Sequence, residues 1–224
     1  MQNNGKKNVI IYSGNLDKNG ITTSLLNLGA NLDMSERNYY ITYTTSHIKR
    51  NLDNYKSVVD LFNYFPLMGK INLGPVKKLV YLLFLRRGFS ASAIAKLLDT
   101  ELRMEIRRMF GGAAFSHAIQ FNGYEVRKIL LFAKFDCDTT IFVHSDMREE
   151  IKTKNNQRKD VLKYAYGVYD NVAIVSSGIA HSVLSFNSNA NVKVVENLID
   201  YEKIEKKSLL PVTFDDNTVS TISL

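Results

Sequence analysis

The sequence predicts an α/β protein built on a doubly wound parallel sheet, and three observations carry that expectation. Short apolar, β-branched runs alternate with stretches of helical periodicity. The first run ends in a glycine-containing turn that leads into a helix, the grammar of a parallel sheet whose crossovers are right-handed. The composition is that of an ordinary globular chain: 224 residues, 45% hydrophobic and 23% charged, with only 3 prolines and no Pro/Ser/Gly-rich run before residue 200. That excludes a wholly disordered or collagenous protein and leaves room for one large domain, or one domain and an incomplete second piece.

The first strand is Asn8–Tyr12, followed by Ser13-Gly14-Asn15. A helix follows, with Thr22 or Thr23 as its cap and Ile21, Leu25, Leu28 and Leu32 as its core-facing stripe. The second strand is Tyr39–Thr44. The alternation resumes with Ala118–Phe121 as a strand, Glu125–Ala133 as a helix and Thr139–Val143 as a strand. A helix over about 160–166 leads to the strand Val172–Val175; Ser176 or Ser177 opens another helix to Phe186, and Val192–Val195 is the last strand. About six strands separated by helices make a Rossmann-like sheet, in which ligands bind outside the carboxyl ends of the strands.

One segment breaks the tight alternation. Residues 66–74 read as a loop, and Pro75 then opens Val76-Lys77-Lys78 followed by the seven apolar residues Leu79–Leu85 and Arg86-Arg87. Ala91–Met109 follows as one further helix, with the stripe Ile94, Leu97, Leu98, Leu102, Ile106 and Met109. The formal net charge is +7, and residues 70–108 alone hold 9 basic and 3 acidic side chains. A local excess points to a local anionic partner. Seven apolar residues fall far short of the roughly 20 that span a bilayer. Flanked by Lys77, Lys78, Arg86 and Arg87 and extended by Arg103, Arg107 and Arg108, they suit either a helix resting on an anionic membrane or polyanion, or a buried helix with charged ends.

Two places can carry chemistry. The loop from Gly14 and Asn15 to Gly20 joins the first strand to the first helix, where glycines admit a ligand to the backbone and the helix N-terminus offers amides to an anion. It is neither G-x-G-x-x-G nor a Walker loop. Phe142-Val143-His144-Ser145-Asp146 places His144 just past a central strand, where it can contact a sugar hydroxyl or act as a general base, or simply be structural. Asp146 is not assigned as its partner. His47, His117 and His181 show no metal-ligand spacing with His144, there is no G-x-S-x-G elbow, and Cys137, the single cysteine, reads as a small apolar residue. No metal or cofactor is expected, and no motif or stacking platform supports nucleic-acid binding.

Taken in order, Ile10–Gly14, Gly20–Leu28, Phe142–Asp146, Tyr169–Ser176 and Val194–Asp200 resemble the N-terminal half of a GT-B glycosyltransferase of family 4, particularly bacterial enzymes of teichoic-acid or surface-polysaccharide synthesis. The resemblance spans about residues 7–205. It implies that Gly14 and Gly20 approach the donor diphosphate and the acceptor, with Asn15 and Ser145 beside them. It implies further that His144 contacts the transferred sugar and that Asn197 and Asp200 mark the passage to a nucleotide-binding domain. Two motifs depart from the family: its Gly-Gly pair is Asn19-Gly20 here, and its Pro-Asn-Gly is Glu196-Asn197-Leu198.

On this reading residues 1–200 form an acceptor-binding Rossmann-like domain with a helical insertion at about 66–110, and residues 201–224 begin the connection to a C-terminal nucleotide-binding domain. The chain alone is expected to bind without turnover. The expected function is the N-terminal part of a retaining glycosyltransferase, with a nucleotide-sugar donor and an anionic or lipid-linked polymer acceptor. The alternatives are a CDP-glycerol glycerophosphotransferase and a non-catalytic membrane- or polyanion-binding module. Met1–Lys7 runs straight into the first strand, so no secretory signal is expected and the protein is placed in the cytoplasm, peripherally at the inner face of the membrane if the insertion binds lipid.

Overall fold

The computed structural model describes residues 5–44, 51–64, 73–122, 124–153 and 158–210. Seven parallel strands form one sheet in the order β3-β2-β1-β4-β5-β6-β7: β1 (Lys7–Tyr12), β2 (Arg37–Thr42), β3 (Asn63–Tyr64), β4 (His117–Gln120), β5 (Asp138–Val143), β6 (Asn171–Ile174) and β7 (Val192–Val194). The doubly wound expectation holds. The strand the sequence does not announce is β3, whose two residues pair with Tyr40 and Ile41 and are too few to show a period. The order reverses between β1 and β4, so the topological switch point, and with it the expected ligand crevice, lies at the carboxyl ends of these two strands.

Alternation along each strand sorts the helices into two layers. Val9, Ile11, Tyr39 and Ile41 bury against Leu25 of α1 (Gly20–Asn31) and Val58 of α2 (Leu52–Leu61), together with Phe62. Ile10, Tyr12, Ile141 and Val143 face the other way. Their cluster takes in α3 (Pro75–Arg86), α4 (Ala91–Leu97), α5 (Asp99–Phe110), α6 (Val126–Phe132), α8 (Lys159–Val168) and α9 (Ala180–Phe186), represented by Tyr81, Ile94, Leu102, Ile129, Leu162 and Val183. α7 (Met147–Thr153) precedes α8, and α10 (Tyr201–Ser208) follows β7.

Two local expectations are corrected. The cap of α1 is Asn19, whose Oδ1 accepts from the Thr22 amide at 2.9 Å; Thr22 and Thr23 lie inside the helix. The single helix expected over 91–109 is two, bent at Leu98. The apolar stripe runs through the bend unbroken, with Ile94, Leu98 and Leu102 all fully buried, so periodicity could not reveal it. The bend leaves the Leu97 carbonyl accessible, and the Lys77 ammonium donates to it at 3.1 Å. Ser176 caps the short 3-10 turn that leads into α9. The insertion helices α3, α4 and α5 occupy the crossover from β3 to β4, while residues 65–72, including the predicted loop start and Lys70, lie outside the described residues, as do His47 and residues 211–224. Among the described residues no helix is long and apolar enough to cross a membrane.

Candidate functional site

At the carboxyl end of β1 the chain turns through Gly14, whose φ of +72° is open to glycine at little cost. A Cβ there would stand 3.1 Å from the Asn122 side-chain nitrogen, so the loop after β1 and the loop after β4 are packed together. The Gly14 carbonyl accepts from the Thr44 amide at 2.9 Å, and the Asn15 side chain bonds the Thr44 hydroxyl. From the far side, α2 and the residue before it tie the loop down: Asn51 donates to Asp17 at 2.9 Å and Asn54 to the Leu16 carbonyl at 3.0 Å. Leu16 is held at a φ of +54° with its side chain buried. The loop is thereby fixed from three directions, and it delivers the chain to Gly20 at the start of α1. A Cβ at Gly20 would meet nothing within 4 Å. Gly20 and Ile21 lead the helix and have no intrahelical acceptor for their amides.

His144 stands past β5, next to β4 in the sheet. Its Nε2 lies 2.8 Å from the Phe121 carbonyl, which can only accept, so Nε2 carries the proton. The ring packs edge-on to Phe121 at 4.8 Å and roughly parallel to Phe142 at 5.8 Å. Burial lowers its pKa, against the opposing Phe121 hydrogen bond, and keeps the imidazole neutral at pH 7. Nδ1 is shielded and finds no hydrogen-bond partner among the described residues, so it is the one polar atom of the ring left to accept a hydrogen bond or a proton. Ser145 donates to Glu150 at 3.2 Å.

Asp146 has its partners on α7 and α9. It receives the Arg148 amide at 2.9 Å and stands 3.2 Å from His181 Nε2. The Ser182 hydroxyl, together with Arg148, holds its carboxyl well below the usual range. No spacing along the chain signals the His181 contact, since the two residues lie 35 positions apart.

The exit from β7 returns to the first loop. Ser24 of α1 donates to Asn197 Oδ1 at 2.5 Å, and Asn27 donates to the Leu198 carbonyl at 3.0 Å. Gly20, Ser24, Asn197, Asp200 and Ile204 line a cavity of about 440 Å³ between this segment and α1. Gly20 and Asn197, far apart in sequence, are thus brought to one cleft, while Gly14 and His144 meet through Asn122 and Phe121 at the β1–β4–β5 ends. Residues that sequence reasoning missed hold these parts in place: Thr44, Asn51, Asn54, Asn122 and Ser24. Of these, Thr44 and Asn122 follow strand ends, which is the only signal they offer. Lys128 on α6 is buried with its ammonium 5.9 Å from the Tyr12 ring, and burial lowers its pKa despite Glu125.

The basic residues divide. Lys77 pairs with Glu101 at 2.8 Å, Arg103 with Asp99 at 3.1 Å, and Arg108 grips the buried Glu105 with two nitrogens. Arg103 and Arg107 line a cavity of about 330 Å³ with Lys134 and Cys137, beside the segments that enter β4 and β5. Burial pushes the Cys137 thiol up to about 11, which keeps it protonated and unreactive. Lys78, Arg86 and Arg87 are exposed on or just after α3 and enter no side-chain ion pair among the described residues.

The sequence matches no protein-family model and no curated protein. Its shape is similar to that of Anabaena Alr3699/HepE, in a crystal structure with UDP and glucose, with a TM-score of 0.52 at 10% identity over 90% of this chain and 50% of that one. Arabidopsis thaliana UGT89C1 complexed with UDP gives 0.48 at 12% identity, covering 90% of this chain and 56% of its own. The N-terminal domain of Candida albicans trehalose-6-phosphate phosphatase gives 0.46 at 11% identity, covering 91% and 51%. The chain spans about half the length of these structures. At such identities likeness speaks of fold and not of chemistry. The chain has a doubly wound, Rossmann-like α/β fold, one half of a GT-B fold.

Proposed function

We propose that this chain is the acceptor-binding N-terminal part of a retaining glycosyltransferase that moves a sugar from a nucleotide-sugar donor to a teichoic acid or other cell-surface polymer. The observation that supports it best is that the fixed Gly14 loop and the strand-end His144 flank the switch point of the sheet, from which the loop runs on to the open Gly20 start of α1. The α1 amides favour a diphosphate or an acceptor phosphate. In the neutral His144, Nε2 is committed to Phe121, so a sugar hydroxyl would have to uncover the shielded Nδ1 to be accepted there. Asn15 and Ser145 stand at the ends of β1 and β5 as polar contacts, and Asn197 ties the β7 exit to α1 beside Gly20. Residues 1–200 form the acceptor domain in this reading, and α10 begins the connection to a nucleotide-binding half. Chemistry between the two halves would rest on positioning and on stabilising developing phosphate charge.

An NMR titration of the isotope-labelled chain tests this. UDP-glucose, CDP-glycerol and a short poly(glycerol phosphate) are added separately. The expected result is a cluster of shifts at Gly14, Asn15, Gly20 and His144 with the polymer fragment or the nucleotide sugar. Shifts with CDP-glycerol alone would replace the reading by glycerol-phosphate transfer, and no shift at these residues with any of the three would overturn it.

A further inference from the structure

Helix α3 is apolar on both sides, and only one side is covered. Inward, Tyr81 is buried with the Arg127 guanidinium 5.9 Å from its ring centre, while Phe84 and Leu85 pack on the core and Phe84 stacks on Phe89 at 4.2 Å. Outward, Val76, Leu79, Leu82 and Leu83 are 73, 61, 50 and 46% exposed, and Phe89 beyond the helix end is 44% exposed. Spacings of three and four place the four aliphatic residues in one stripe along the helix. A solvated helix would carry polar groups there. The stripe is accompanied by Lys78, Arg86 and Arg87, all exposed, and no acidic residue occurs between Ile71 and Leu98. Of the other cations of the segment, Lys77, Arg103 and Arg108 each have a carboxylate.

We propose that α3 docks in the plane of an anionic lipid bilayer, with Val76, Leu79, Leu82 and Leu83 below the headgroups and Lys78, Arg86 and Arg87 among the phosphates. Both halves of the surface are needed for that choice. A soluble polyanion would leave the leucines in water, and an apolar protein groove would leave three cations without partners. At 12 residues α3 is about 18 Å long, sufficient to lie flat and too short to span. Through Tyr81 and Arg127 it adjoins the first turn of α6, the helix that follows β4 at the switch point, so a docked bilayer would lie on the crevice side of the molecule. The inference stands on α3 alone and holds whether or not the crevice transfers sugar.

Vesicle co-sedimentation of the whole chain tests it, with vesicles of phosphatidylcholine alone and of phosphatidylcholine with 30 mol% phosphatidylglycerol (about that fraction suffices for a negative surface potential). The unaltered chain is expected to bind the anionic vesicles only. The Lys78→Gln/Arg86→Gln/Arg87→Gln variant should bind about 100-fold more weakly, at about tenfold or less per cation. The Leu79→Gln/Leu82→Gln/Leu83→Gln variant should lose at least about tenfold. All changed side chains are exposed, and circular dichroism with an unchanged Tm confirms the fold of each variant. Absence of binding by the unaltered chain overturns the proposal. Loss on the cation variant with no loss on the leucine variant overturns insertion in favour of a polyanion surface. Self-association that the leucine variant abolishes, without vesicle binding, overturns it in favour of a second copy of the chain.

Discussion

Gly14 and Gly20 close the two ends of one loop but are glycines for different reasons. At Gly14 a side chain would meet both a left-handed backbone and the Asn122 amide, so Gly14→Ala should lower stability by about 1–2 kcal/mol in chemical denaturation. At Gly20 there is open space, and Gly20→Ala should leave the Tm unchanged or slightly raised while weakening any ligand whose phosphate approaches the α1 amides. Unchanged ligand binding in Gly20→Ala would remove that approach from the proposed site. His144→Ala deletes a ring held between two phenylalanines and orphans the Phe121 carbonyl, which should cost about 2–4 kcal/mol. That Gly14 and His144 sit at strand ends and Gly20 at a helix start was legible in the sequence. The committed Nε2 was not, because the Phe121 carbonyl comes from a neighbouring strand 23 residues away.

At the scale of elements, α5 is fastened by a carboxylate that composition counts merely as a charge. Glu105 is buried and Arg108 supplies its counter-charge, so Arg108→Ala should destabilise by about 1–3 kcal/mol by leaving a buried carboxylate unpaired. Adding Glu105→Gln to that variant should restore part of the loss, and a double-mutant cycle in urea reads the coupling. At the Leu98 bend the apolar stripe names the buried side of α4 and α5, and Asp99 pairs with Arg103 one turn on in α5, but Asp99 reaches Lys134, just past α6, only once α6 has packed. The exit from β7 hangs on two contacts with α1. Asn197→Ala should therefore speed amide hydrogen exchange across the 197–204 segment with little change in Tm, since the segment is exposed.

For the whole molecule, acid should act in two stages. Burial depresses the pKa of both His144 and His117, for the latter against Asp138, so the unfolded chain binds their protons more readily. Stability from these groups is fully present above about pH 6.5 and declines as pH falls from there through the folded values. The carboxylates follow. Asp99 is lowered first by its hydrogen bond to Lys134; in Glu101 and Asp160 burial pulls upward, but Lys77 and Arg158 outweigh it. Their contribution is present above about pH 4 and is lost as pH falls further. A Tm profile against pH should show both declines, with the upper one reduced in His144→Gln.

The doubly wound sheet, its two layers and the glycine-marked first loop were determined by the sequence, because strand and helix periods and turn residues are local properties. Charge counted along the chain likewise located the basic crossover. Asp99 and Glu105 take Arg103 and Arg108 within α5 itself, at helical spacing, but only the tertiary structure decided that Lys77 of α3 is consumed by Glu101 of α5 and that Lys78, Arg86 and Arg87 face outward beside the leucines of α3. It alone brought Asn197 to Ser24, 173 residues away, and set Asp146 beside His181. The physical reason is range: pattern fixes what a residue does within its own element, whereas hydrogen bonds and ion pairs between elements depend on packing that no spacing along the chain encodes.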